Sequence, residues 1–100
     1  MGAVGMIAFA DVMRERRLQD TKWGEQNHDD GYWLAILTEE LGEAAQSICK
    51  RDSNLRNELV QVVAVAIAWI EAMDRRRCEP TRSTRPAPPP ARAPQAGRRP

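Results

Sequence analysis

Cysteine is scarce in this chain. Cys49 and Cys78 are its only two, and they form no CxxC pair. A secreted chain of this size ordinarily carries a denser cysteine framework, so two reduced thiols in a cytoplasmic protein are the expectation. Long apolar runs are also missing. The longest, Val62 to Ile70, falls well short of the roughly 18 residues of a membrane span, which argues against a membrane partner. Met1 to Ala10 is mildly apolar, but it lacks the basic opening of a secretory signal and is too short for one. No segment alternates as a half-buried strand would, and no internal repeat is present. His28 is the single histidine.

Proline is absent before position 80, and all seven prolines fall between Glu79 and Pro100, where no large apolar residue occurs. That composition cannot bury enough surface to offset its ordering entropy, so residues 79–100 are expected to be a disordered, Pro/Arg-rich tail. The folded unit is then residues 5–78. Charge divides at nearly the same place. Residues 1–74 hold thirteen acids against seven Lys and Arg, a net of −6. Residues 75–100 hold eight Arg against one Glu, a net of +7. The overall +1 hides an acidic body and a basic tail.

Within the body, three segments carry helical periodicity. The first runs from Phe9 to Asp20, with Phe9, Val12 and Met13 as its apolar side. A polar segment from Lys22 to Gly31 follows, and Asp29 or Asp30 is placed to cap a second helix from Tyr32 to Lys50. Its apolar stripe is Trp33, Leu37, Leu41, Ala44 and Ile48, and Lys50-Arg51 suits the negative end of the helix dipole. Asp52 or Ser53 is placed to cap a third helix from Asn54 to Arg77, whose seam is Leu55, Glu58, Val62, Val65, Trp69 and Ala72. From Leu59 to Ile70 this helix is apolar on nearly every side, with Gln61 its one polar residue. A helix apolar all round is a buried one. In so small a chain that implies an all-α, antiparallel helical bundle completed by oligomerisation, as a dimer or tetramer.

The acidic residues carry the chemistry. Glu40 and Glu43, three apart, continue the ridge Trp33, Ile36, Glu40, Glu43, Ser47, which tilts two carboxylates inward. Glu39 lies beside them. Glu58 occupies a seam position of the most apolar helix, where Leu or Ile is expected. A buried carboxylate must be neutralised, paired (Arg14 and Arg17 are candidates) or bound to a metal. A short turn between helices two and three makes them antiparallel and can bring Glu58 opposite Glu40 and Glu43. Three carboxylates from two helices form an all-oxygen set suited to Mg²⁺ or Mn²⁺.

The run Glu39-Glu40-Leu41-Gly42-Glu43-Ala44, followed by Glu58 on an apolar helix, resembles the E-E-x-x-E … E-x-x-D signature of the MazG-like nucleotide pyrophosphohydrolases. Lys22-Trp23-Gly24-Glu25-Gln26-Asn27-His28 is similar to the segment before that helix in small phage-type members. The likeness covers Phe9 to Asp74. It implies an oligomeric all-α nucleoside triphosphate pyrophosphatase that releases pyrophosphate and the monophosphate. It also implies that Glu40, Glu43 and Glu58 hold Mg²⁺ and that Glu39 supports the site or orients the attacking water. The signature's final Asp falls on Gln61, which offers a metal a neutral carbonyl oxygen and one negative charge fewer. Substrate contacts would come from Lys22, Trp23, Asn27 and Arg17, with Arg14 and Lys50 as further cations.

Two other readings stand beside the enzyme: a catalytically weak nucleotide- or metal-binding scaffold, and a helical interaction protein whose tail contacts nucleic acid. The tail interleaves no aromatic among its arginines, so its pull on nucleic acid would be weak and salt-dependent. Trp33 and Trp69 sit on apolar stripes and are expected in the core. His28, beside Asp29 and Asp30, is expected to belong to the cap region.

Overall fold

The computed structural model describes residues 2–78 and is built of three helices: α1 (Ala3–Trp23), α2 (Asp30–Lys50) and α3 (Leu55–Arg77). No strand occurs among the described residues. The expected Pro/Arg-rich tail, 79–100, lies outside them.

Each helix begins and ends for a local reason. α1 starts six residues before its expected boundary and runs through Lys22 and Trp23, ending at Gly24. Gly24 has φ 74° and ψ −171°, a region essentially reserved for glycine. Asp29, one of the two expected caps, accepts a hydrogen bond from the Tyr32 N–H at 2.8 Å. At the other end of α2, Arg51 takes the left-handed conformation (φ 56°) and its N–H closes on the Ile48 and Ser47 carbonyls. The turn into α3 departs from expectation. Asn54, not Asp52 or Ser53, is the N-cap and makes no side-chain cap bond. Asp52 instead accepts from the Asn54 N–H at 3.0 Å, folding the turn that precedes the helix.

The four-residue turn makes α2 and α3 an antiparallel hairpin. Asp30, at the start of α2, accepts from Trp69 Nε1 at 3.0 Å and from Arg76 at 3.1 Å, both in the C-terminal part of α3. Trp33, Val65 and Ala72 form the buried cluster, with Ile36, Leu37, Ala68 and Trp69 packed against it. α1 packs on another side of α3, through buried Val12 and Arg16, and makes no close backbone approach to α2. α3 therefore lies between its two neighbours, as its all-round apolarity requires.

The α2 stripe is rotated from the one expected. Trp33 and Ala44 are buried, but Leu41 and Ile48 are 55 % and 61 % exposed. The inward row is Trp33, Ile36, Glu40, Ala44 and Ser47. Packing against a single neighbouring helix selects a narrow stripe, and the hairpin turn fixes which one.

Candidate functional site

Glu40 is the most buried acid of the described residues, 8 % exposed on the face of α2 turned toward α3. Its neighbour Leu41 points outward. Glu43, one turn on, is half-buried, as are Glu58 and Gln61 on α3. The hairpin register, with Asp30 level with Trp69 and Arg76, brings Glu40 and Glu43 to the N-terminal half of α3, where Glu58 and Gln61 sit. Glu39 faces solvent. The donor chemistry, carboxylates and one amide oxygen, suits a hard divalent cation. Their placement is looser than their chemistry: among the described residues, no three His, Cys, Asp or Glu side chains are gathered closely enough to hold a metal ion.

The expected nucleotide-contacting segment lies elsewhere. Lys22 and Trp23 are exposed at the end of α1, with the Lys22 ammonium 5.3 Å from the Trp23 ring centroid. A cation over an aromatic face is a modest attraction at so open a position. Asn27 is tied down at both ends of its amide. Its nitrogen donates to Glu25 at 2.8 Å, and its oxygen accepts from Arg75 Nε at 3.0 Å. Arg75 also donates to the Gln26 carbonyl at 3.0 Å and pairs with Glu25 at 3.2 Å. Arg75 thus clamps the 24–29 loop to the C-terminal end of α3. From Arg75 back to Glu58 is about 25 Å along the helix, at 1.5 Å per residue. Within one copy, Asn27 and the acids therefore occupy opposite ends of α3.

His28, the residue before the Asp29 cap, sits against the first turns of α2. It is buried, packs on Tyr32 (centroids 4.4 Å) and edge-on to Trp33 (4.9 Å), and shares a 2.6 Å hydrogen bond with Gln26. Burial lowers its pKa, against an opposing pull from Asp29. Asp30, by contrast, is exposed, and the hydrogen bonds from Trp69 and Arg76 hold its pKa below the usual carboxylate range.

Arginine on α1 sorts differently from the sequence reading. Arg14 and Arg17 are exposed, while Arg16 is buried and bonds Glu71 at 2.6 Å and Asp20 at 2.8 Å. Burial by itself lowers the Arg16 pKa, but the bonds and charges of Glu71 and Asp20 outweigh it and leave it raised. The spacing Val12–Arg16–Asp20 was the available signal, one helix row with an i,i+4 ion pair. Where α1 crosses the start of α3, Asp11, Arg14, Glu15 and Arg56 line an open cleft of about 270 Å³, with Arg56 held by Asp11 at 3.0 Å. Arg14 and Arg56 are the cations of that cleft, on the half of α3 that carries Glu58.

Both cysteines are free and exposed, and among the described residues no helix is long and apolar enough to cross a membrane. Compared with known proteins, the chain matches no family model, no curated protein and no solved structure.

Proposed function

We propose that the chain is a Mg²⁺-dependent nucleoside triphosphate pyrophosphohydrolase of MazG-like type, with Glu40, Glu43, Glu58 and Gln61 as the metal-holding residues. One observation carries this reading: α2 turns Glu40 inward and leaves Leu41, the next residue, 55 % exposed. Placing a carboxylate in the core and a leucine in water costs stability on both counts. Such an inversion is characteristic of sites kept for chemistry.

When bound, Mg²⁺ would supply charge neutralisation of the phosphates and activation of water. The protein's own contribution is positioning. Glu40, Glu43, Glu58 and Gln61 provide oxygen donors from two helices held in fixed register. Glu39, exposed on the same turn, is the acid proposed to orient the attacking water. Arg14 and Arg56 offer positive charge on the same half of α3. Lys22, Trp23, Asn27 and Arg17 remain the proposed base and phosphate contacts; Asn27, clamped by Arg75 at the opposite end of α3 from Glu58, would have to be presented by a second copy.

The test is pyrophosphate release from a panel of NTPs and dNTPs with Mg²⁺, Mn²⁺ or EDTA. Wild type should turn over with metal only, and Glu40→Gln and Glu58→Gln should each lower the rate at least about a hundredfold. Gln61→Asp should raise it. Folded wild type and Gln61→Asp that are both inert across the panel refute the enzyme. Metal-dependent nucleotide binding without turnover would favour the catalytically weak scaffold, the reading that Gln61 in place of the motif Asp supports.

A further inference from the structure

We infer that His28 is an acid-operated latch: a proton on its ring releases the 24–29 loop from the α2–α3 hairpin and leaves the hairpin folded. The inference is independent of the hydrolase reading.

His28 is the one buried residue of that loop; Gln26 is half-buried and the other four face solvent. Its ring rests on Tyr32 and Trp33, and Trp33 belongs to the buried cluster with Val65 and Ala72. His28 is therefore the loop's single plug into the apolar interior. What else fastens the loop to α3 is polar and at least partly open to water. Arg75 reaches Glu25, the Gln26 carbonyl and Asn27. The Arg75 and Glu25 side chains are 33 % and 60 % exposed, and ion pairs screened in this way contribute little.

The pocket around the ring suits a neutral imidazole. Gln26 Oε1 only accepts, so Nε2 of His28 donates the 2.6 Å bond between them, and Nδ1 is left to take a second proton. Among the described residues that bond is the ring's only hydrogen bond. Of the charged groups on the loop, α2 and α3 at this end, Glu25 is paired with Arg75 and Asp30 with Arg76. Tyr32 presents its ring. Asp29 pulls toward the charged form, and burial outweighs it. Protonation would also set two cations against one residue, because Arg75 already bonds the Gln26 carbonyl.

Opening the loop escapes that cost, and the helices hold without it. α2 is fixed to α3 by the Trp33 cluster and by Asp30, bonded to Trp69 and Arg76. α1 is fixed to α3 by buried Val12 and by Arg16 bonded to Glu71. α1 ends at Gly24 and α2 has its own cap in Asp29, so both flanks of the latch are already terminated. The closed loop holds the His28 pKa below its ordinary value near 6.5, so the loop stays shut above that value. As pH falls below it, the open-to-closed ratio rises by up to about tenfold per pH unit, until the ring titrates in the closed form as well. Acid thereby parts Asn27 from Arg75 and leaves both free to meet other groups.

Nuclear magnetic resonance on the full ¹⁵N-labelled chain, from about pH 7.5 to about pH 5, tests the latch. The His28 Cε1 proton reports the ring, and backbone heteronuclear NOEs report order along the chain. Residues 24–29 should lose order in step with the His28 titration while α2 and α3 keep theirs. His28→Phe, an aromatic plug that takes no proton, should hold the loop ordered throughout. A wild-type loop whose order does not change across the range overturns the inference, whether or not the ring titrates. So does loss of order in α2 and α3 together with the loop, or a His28→Phe loop that opens in acid as wild type does. Should His28→Phe fail to close at any pH, the wild-type titration decides alone.

Discussion

Replacing Arg16 by methionine removes the guanidinium that joins α1 to α3 while keeping most of the side chain's volume. The lost contacts are the 2.6 Å bond to Glu71, the 2.8 Å bond to Asp20 and a 3.3 Å bond to Gln19. A charge-assisted bond from a buried donor contributes roughly 1.5–3 kcal/mol. The acceptors temper that figure, because the Glu71 and Asp20 side chains are 40 % and 56 % exposed and water screens them. Methionine preserves the packing of the aliphatic stem against Val12, so little cavity opens. The expected destabilisation is therefore about 2 kcal/mol, or on the order of 10 °C in Tm for a domain of this size. Urea denaturation followed by circular dichroism measures it, at one fixed protein concentration so that any self-association is held constant. In a cycle with Glu71→Gln, the Arg16–Glu71 coupling should account for about 1 kcal/mol. An Arg16→Met midpoint within about 0.5 kcal/mol of wild type would refute the reasoning and reduce the pair to surface decoration.

Other consequences can be checked on the same preparations. The His28 pKa is lowered in the fold, so the stability it confers is fully present above its unfolded value near 6.5 and is lost as pH falls through the folded value. Stability measured from neutral to mildly acidic pH should fall more steeply in wild type than in His28→Gln; parallel curves would contradict the buried neutral imidazole. Gly24→Ala forces a Cβ into a glycine-only conformation and should cost about 1–3 kcal/mol by thermal melt, although nothing lies within 4 Å of the added atom. If Glu40 and Glu58 hold Mg²⁺, saturating metal at about a hundred times Kd should stabilise wild type by ~2.7 kcal/mol. Glu58→Gln should lose most of that gain, and equal gains in both proteins would exclude Glu58 as a ligand.

Much of the helical layout was legible in the residues. Period and caps located α2 and α3 to within a few positions, because Asp29 and the punctuation at 51–54 act locally. The start of α1 was missed because Ala3 to Ala10 carries neither a capping residue nor a buried face to mark it. The rotation of the α2 stripe was not legible either. Leu41 and Ile48 continue the apolar row of Trp33, Leu37 and Ala44 as well as Ile36 does, and only the position of α3 leaves those two exposed. The ridge through Glu40, Glu43 and Ser47 was already readable as inward-tilting, and Glu40 and Ser47 are buried.

Sequence alone determined that this body is helical, that its acids concentrate on α2 and the start of α3, and that its basic residues gather after position 74, since these depend on composition and short-range spacing. Tertiary structure decided which of three neighbouring arginines is buried, that Arg75 clamps the Asn27 loop, and that this loop and the carboxylates stand at opposite ends of α3. Those outcomes depend on residues about 50 positions apart in the chain, such as Arg16 with Glu71 and Asn27 with Arg75. Helical periodicity repeats every 3.6 residues and carries no information over such separations; only the packing of one helix against another supplies it.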